Sequence, residues 1–203
     1  MFDTSKISVL PRNFYIRPVL TVAKDLLGKV LIKKDVNQIL AGRIVEVEAY
    51  YGKIDKAAHT FNGKTKRNVV MFNEGGFFYV YFTYGVHFCC NIVTGKKNHG
   101  SAVLIRAIEP IIGMEKMIKN RFDRNLKSEK EIYNLTSGPG KVCKAFSINK
   151  THSGYDLTNS DIFIADKPKI NKNLIGVSKR IGITKSMNLP WRFFEIGNPY
   201  LSR

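Results

Sequence analysis

The chain has 203 residues, 44% of them hydrophobic, a composition that argues against intrinsic disorder. No stretch reaches the roughly 18 consecutive apolar residues of a membrane-spanning helix, and the N-terminal residues lack the apolar run of a signal peptide, so we expect a cytoplasmic protein with no membrane partner. The net charge of +17 favours a polyanionic partner, most often nucleic acid, although a lysine-rich solvated surface would give the same sum.

The first elements in chain order are a helix and two strands. Residues 20–34, LTVAKDLLGKVLIKK, predict a short helix that runs into a strand, with Thr21 as N-cap and Gly28 as the C-terminal stop. Apolar and polar residues alternate from Arg43 to Tyr50, which predicts a second strand. The polar residues 52–68 predict a loop.

Two apolar runs around a glycine predict a β-hairpin in the middle of the chain. Residues 77–84 are rich in aromatic side chains, and residues 86–95 form the second run. Gly85 permits a tight turn between them. Residues 101–110, SAVLIRAIEP, predict a further strand that stops at Pro110.

The C-terminal half mixes helices and strands. Residues 113–135 predict an exposed basic helix, and residues 137–148 predict a glycine-rich turn that opens another helix. Residues 161–166 and 191–197 predict strands. No βαβ rhythm occurs, so the pattern favours an α+β domain with a largely antiparallel sheet.

One predicted strand carries two carboxylates on the same face. Because successive side chains of a strand point to opposite faces, Glu46, Glu48 and Tyr50 share one side. A buried carboxylate needs a partner, so the pattern indicates a general base or nucleophile, or a polar face paired with Lys or Arg. Arg106, in a later strand, needs a carboxylate partner too, and Glu46, Glu48 and Glu109 are the candidates.

The aromatic strand places its tyrosines in different positions. Tyr79 and Tyr81 share one face, whereas Tyr84 lies at the hairpin tip and can project from it. A projecting aromatic side chain on a basic protein suggests a wedge or a stacking surface for bases; packing beneath a neighbouring loop is the alternative. Asn91 is a polar residue in an apolar strand and must be satisfied by hydrogen bonds or by a ligand.

Other motifs point to no cofactor or metal. Residues 137–141, SGPGK, place Lys141 at a helix start where backbone N–H groups can hold a phosphate, but neither GxxxxGK[ST] nor GxGxxG occurs. Cys89, Cys90 and Cys143 lack the spacing of a disulfide framework or zinc cluster and are predicted to be buried. The histidines are scattered, and no HExxH or CxxC motif is present.

Seven segments in order resemble the alkyladenine (3-methyladenine) DNA glycosylases: GRIVEVEAY, DKAAH, MF, YVYFTYG, FCCN, LIRAIEP and SGPGK. The similarity runs from VAKDLLGKVL to RFFEIGNP, nearly the whole chain. It implies a single glycosylase domain over residues 1–203, with a curved antiparallel sheet and neither metal nor organic cofactor. The implied enzyme is a monomer that flips alkylated or deaminated purines out of double-stranded DNA. It hydrolyses the N-glycosidic bond with an activated water and leaves an abasic site. In a bacterium it would associate with the nucleoid.

The resemblance assigns roles to residues by position. Glu48 is implied as the general base that activates water, and Arg106 as the residue that holds this carboxylate and the water. Tyr50, His59 and Tyr81 are implied as the walls that stack the flipped base.

Further roles concern the DNA around the lesion. Tyr84 is implied as the wedge that fills the gap in the duplex, and Asn91 as the pocket-edge residue that screens out the guanine amino group. Arg67 is expected to contact a phosphate, as is Lys141. His87 departs from the tyrosine or other large residue expected beside the tip, which leaves its lesion-facing contact open.

Two other functions fit parts of the sequence. A non-catalytic module for RNA or single strands would use the same aromatic and basic residues, but it has no need of a carboxylate in a base pocket. Another nucleic-acid-modifying enzyme is disfavoured because no cofactor loop occurs. Pocket shape decides the preference among 3-methyladenine, 7-methylguanine, hypoxanthine and ethenoadenine.

Overall fold

The computed structural model describes residues 8–36 and 38–202. Across these residues the chain forms an eight-stranded antiparallel sheet, curled into a half-barrel, and five α-helices, which confirms the predicted α+β class. The strands are β1 (Val30–Asp35), β2 (Gln38–Tyr51), β3 (Phe78–Thr83), β4 (His87–Thr94), β5 (Ser101–Ile112), β6 (Ile162–Ala165), β7 (Ile175–Ser178) and β8 (Arg192–Glu195). The helices are α1 (Arg12–Tyr15), α2 (Val19–Leu26), α3 (Met114–Phe122), α4 (Lys130–Asn134) and α5 (Pro139–Ala145). No described helix has the length and apolar character needed to cross a membrane.

The long strand β2 organises the sheet. The strand order is β3-β4-β5-β2-β1-β6, and the β7–β8 hairpin pairs with β2 through β8. The first half of β2 pairs with β1, the second half pairs with β8 from Glu46 to Glu48, and β5 runs along its other edge. Glu46 and Glu48 therefore lie in a central strand with neighbours on both sides.

Two of the three register shifts in the ladder between β2 and β5 compensate each other. Ile44 pairs with Ile108, Glu46 with Ala107, and Val47 with Ile105, so Val45 and Arg106 have no directly opposite partner. A bulge bends the strand locally and re-aims its side chains. The bulge at Arg106 directs this guanidinium toward the two carboxylates of β2.

The two faces of the sheet have different functions. One face packs against α2, α3 and α5 and forms the main core, which includes Ile44, Ile105 and Phe146. Helix α2 shows why it packs there, because its buried residues recur at helical spacing: Val19, Val22, Ala23 and Leu26. The opposite face carries Glu46, Glu48, Arg106 and the tyrosines of β3.

The structure confirms the hairpin, the buried cysteines and the end of the first long helix. Strands β3 and β4 pair antiparallel, from Phe78 opposite Ile92 to Thr83 opposite His87. In the connection between them, Tyr84 and Gly85 have φ of 51° and 67°. All three cysteines are buried and free. Helix α2 ends at Leu26, and Gly28 follows it with φ of 83°, a conformation that favours glycine.

Three local predictions were wrong, and one strand was missed. Pro18, not Thr21, is the N-cap of α2, since the fixed φ of proline suits a helix start. Strand β5 continues past Pro110, which pairs with Gly42 beside a register shift where a missing N–H is tolerated. The predicted helix over 113–135 is two helices, α3 and α4, because Asp123 adopts a left-handed conformation. Strand β7 was not predicted.

Candidate active site

A cavity of about 340 Å³ opens on the sheet face opposite the main core. Strands β2 to β5 form its walls, together with the loops that follow β2 and precede β8. Its volume lies within the usual range of small-molecule sites, roughly 300–1,000 Å³. The cavity brings together six residues that the sequence analysis singled out: Tyr50, His59, Tyr81, Tyr84, Asn91 and Arg106.

Glu48 lies directly behind the cavity wall and is fully buried. Its Oε1 accepts a hydrogen bond from the backbone N–H of Ile181 at 2.8 Å, and Nη1 of Arg106 lies 3.2 Å from the same oxygen. The hydroxyl of Tyr50 donates to Oε2 at 2.7 Å. Tyr50, Arg106 and Ile181 all line the cavity, so the residues that hold the carboxylate of Glu48 also form part of the cavity surface.

Glu46 is equally buried and accepts more hydrogen bonds than Glu48. Its Oε1 accepts from Nε of Arg106 at 2.9 Å, Nε of Arg192 at 2.7 Å and the hydroxyl of Ser202 at 2.7 Å. Its Oε2 accepts from the backbone N–H of Ser202 at 2.6 Å. Burial alone would raise the pKa of Glu46, but the hydrogen bonds from Arg192 and Ser202 and the charge of Arg106 lower it overall. Glu46 therefore acts as a fixed counter-ion.

Arg106 finds two of its three candidate partners. Its side chain is nearly buried and contacts both Glu46 and Glu48. Glu109, the third candidate, instead pairs with Arg43 near the other end of β5. The same-face arrangement of the two glutamates is what allows one guanidinium to reach both.

An aromatic cluster forms one side of the cavity. The rings of Tyr79 and Tyr81 stack at 5.5 Å, and the ring of His59 meets Tyr81 edge-on at 4.5 Å. Tyr79 is buried and its hydroxyl lies 3.0 Å from Nδ1 of His59, as expected for a tyrosine packed in the interior. Burial raises the pKa of Tyr79 to about 12, and it lowers the pKa of His59, an effect that the charge of Arg67 strengthens. Both side chains are therefore uncharged at neutral pH.

Three predicted residues stand at the rim or wall. Arg67 lies over the ring of Tyr81, with its guanidinium carbon 5.6 Å from the ring centroid. Tyr84 is 81% exposed at the hairpin tip, so it does not pack beneath a loop. The buried Asn91 donates through Nδ2 to the carbonyl of Tyr79 at 3.2 Å, and no described residue donates to its side-chain oxygen.

A second groove of about 760 Å³ lies on the other side of the hairpin tip. Its lining includes four cationic side chains: Arg106, Arg121, Lys130 and Lys141. Lys141 also contacts Asn134 and the hydroxyl of Ser137. His87 is exposed and lies against Gly140, where a Cβ would come within 3.1 Å of the histidine. Arg106, Tyr84 and Cys89 line both the groove and the cavity.

The loop before β8 also forms part of the site and was not predicted from the sequence. Ile181, Gly182 and Ile183 line the cavity, and the neighbouring Arg180 forms a buried ion pair with Asp55. Neither Asp55 nor Arg180 belongs to a periodic pattern, so only an arginine beside an apolar Ile-Gly-Ile run marks this segment in the sequence.

The described part of the chain holds no group of three or more His, Cys, Asp or Glu side chains suited to a metal ion.

Comparisons with known proteins agree on one family. The family model for methylpurine-DNA glycosylases matches residues 13–199 of this chain. A relative from Alkaliphilus oremlandii is 46% identical over 200 residues, covering 96% of this chain and 98% of the relative. Relatives from Chlorobium phaeobacteroides and Carboxydothermus hydrogenoformans are 43% and 46% identical over 196 residues, covering 96% of this chain and 97% and 99% of theirs. All three are provisionally named 3-methyladenine DNA glycosylases.

Proposed function

This chain belongs to the methylpurine-DNA glycosylase family, and we propose that it is a base-excision repair enzyme that removes alkylated purines from double-stranded DNA. The observation that carries the proposal is the cavity itself. It has aromatic walls, and a buried carboxylate–arginine pair, Glu48 and Arg106, lies at and behind one of them. A pocket that only bound a base would not need that buried carboxylate.

The cavity receives a purine rotated out of the duplex. Extrusion costs a few kcal/mol and less at a damaged pair, and stacking on an aromatic ring returns about 1–3 kcal/mol per base. Tyr50, His59 and Tyr81 provide the rings. Alkylation at N3 or N7 makes the purine cationic, and an aromatic face attracts a cation by about 0.5–2 kcal/mol. The lowered pKa of His59 suits this task, because a neutral imidazole does not repel the charged base.

Water is the nucleophile in the proposed reaction. As the N-glycosidic bond breaks, its electron pair leaves with the base, and the sugar develops oxocarbenium character. Glu48 stabilises this charge as a carboxylate and takes the proton of the water that attacks the sugar carbon. The N–H of Ile181 donates to this carboxylate and Arg106 pairs with it, so both groups hold it in place beside the cavity. A cationic purine leaves as a neutral molecule, so it needs little help from an acid.

The product is an intact abasic site. An enzyme that also cuts the strand attacks the sugar with an amine, and none of the described residues that line the cavity is a lysine. One chain supplies every group of the cavity, so a monomer with a single domain over residues 1–203 is sufficient for the proposed reaction.

The surface around the cavity engages the duplex. Tyr84 enters the space that the base has left, and Arg67 and Lys141 contact phosphates on either side of the hairpin tip. Asn91, held by the carbonyl of Tyr79, excludes the exocyclic amino group of guanine. The net charge of +17 supplies affinity for DNA of any sequence.

The test is base release from damaged DNA. Duplex DNA treated with a methylating agent, and duplexes with a single hypoxanthine or ethenoadenine, are incubated with the protein, and freed bases are identified by mass spectrometry. We expect 3-methyladenine among the products and no release from untreated DNA. Tight binding to lesion DNA without any released base would contradict the proposal and favour a non-catalytic binding module.

A further inference from the structure

We infer that the buried ion pair between Asp55 and Arg180 is a positioning device for the catalytic carboxylate, Glu48. This inference rests on the proposed function, and it assigns a part in the reaction to two residues that do not touch the reacting atoms. The pair connects the loop after β2 to the loop before β8, the two loops that close the cavity on one side.

The pair is built as a rigid fork. Nη1 of Arg180 lies 2.5 Å from Oδ2 of Asp55, and Nη2 lies 2.8 Å from Oδ1, while both side chains are 0% exposed. Nη1 also donates to the carbonyl of Ala49 at 2.9 Å, and Nη2 to the carbonyl of Ser186 at 3.3 Å. A bidentate arginine–carboxylate pair fixes orientation as well as distance. The guanidinium of Arg180 therefore connects the end of β2, the loop that carries Asp55 and both ends of segment 180–186.

The fork acts on Glu48 through both of its oxygens. Arg180 is followed directly by Ile181, whose N–H donates to Oε1 of Glu48 at 2.8 Å. The guanidinium carbon of Arg180 also lies 4.5 Å from the ring centroid of Tyr50, whose hydroxyl donates to Oε2 at 2.7 Å. Two of the three groups that hold the carboxylate thus depend on where Arg180 sits.

Two variants test the inference. Arg180→Lys keeps the charge but removes the fork, and the paired change Asp55→Asn with Arg180→Gln removes both charges without leaving one unpaired. Arg12→Lys is the matched control, because Arg12 pairs with Asp156 in a partly buried site outside the cavity. Single-turnover rates of base release at saturating enzyme, lesion-DNA affinity, unfolding temperature and amide exchange at Ile181 are measured for each variant.

We expect both changes at the pair to slow base release by about 100-fold, the effect of a misplaced catalytic group, with little change in affinity for lesion DNA. The Ile181 amide should exchange faster, because its hydrogen bond to Glu48 is weakened. Arg12→Lys should change none of these. If wild-type protein releases base while the pair variants keep its rate, the inference fails and the proposed function stands. If wild-type protein releases no base, the proposed function fails, and unchanged exchange at Ile181 would overturn the positioning role independently.

Discussion

Glu46 and Glu48 lie two residues apart on one strand, and the structure predicts opposite consequences for the same change at each. Glu48→Gln removes the proposed general base but leaves Arg106 paired with Glu46 at 2.9 Å. Glu46→Gln removes the counter-ion shared by Arg106 and Arg192, which approach it at 2.9 and 2.7 Å. The first change should therefore affect chemistry, and the second should affect folding.

The magnitudes follow from these contacts. Loss of a general base costs roughly 10²- to 10⁴-fold in rate. Breaking a buried ion pair costs about 3–5 kcal/mol, and we expect the lower end for Glu46→Gln because glutamine keeps one acceptor oxygen. For a chain of this size about 3 kcal/mol corresponds to a fall of roughly 6–12 °C in Tm. Glu48→Gln should lower Tm less, because the amide oxygen can still accept from Ile181, the hydroxyl of Tyr50 can turn to accept from the amide N–H, and Arg106 keeps Glu46 as a partner.

The assay separates rate from stability. Single-turnover base release is measured at a temperature where both variants are folded, and Tm is measured by calorimetry or circular dichroism. Lesion-DNA binding serves as the control, and it should survive Glu48→Gln. The reasoning is refuted if Glu48→Gln turns over within tenfold of wild type, or if folded Glu46→Gln is the slower of the two variants.

The remaining predictions concern the DNA and the product. Tyr84→Ser should slow base release most on a paired lesion and least on a lesion opposite a gap, whereas Tyr81→Ser should slow both; equal losses for Tyr84→Ser would remove its wedge role. Affinity should fall steeply with salt, because each neutralised phosphate releases counterions, and a flat response would mean that the lysines are only solvated surface. Chelator should leave the rate unchanged, and strands should break only after alkali; cleavage in neutral buffer with a borohydride-trapped adduct would reveal an amine nucleophile.

The sequence predicts those parts of the site that follow from local periodicity. Alternation along β2 and β3 correctly grouped Glu46 with Glu48 and Tyr79 with Tyr81, because a strand reverses its side-chain direction at every residue. The turn chemistry of Gly85 likewise placed Tyr84 at an exposed tip.

The partners that distinguish one carboxylate from the other could not be predicted in this way. Ser202 and Arg192 reach Glu46 from more than 140 positions away in the chain, and Ile181 reaches Glu48 from 133 positions away. Such contacts depend on how β8 pairs with β2 and on the bulge that redirects Arg106, neither of which leaves a periodic signal. The local alternation of β2 therefore predicts that Glu46 and Glu48 share a face, but the contacts that distinguish the two residues come from distant parts of the chain.

The aromatic strand β3 connects two tasks of the proposed function, which are to stack the extruded base and to fill the gap that it leaves in the duplex. Tyr81 lies in the cavity wall, and Tyr84 lies three residues later at the exposed tip, about 10 Å further along an extended chain. Tyr81 is held from behind by Tyr79 and from the side by His59, so the strand is fixed where the base would be stacked. A rigid hairpin with one ring in the cavity and another at its tip cannot move the wedge without moving the pocket. Entry of Tyr84 into the duplex would therefore bring the cavity to the extruded base in the same step.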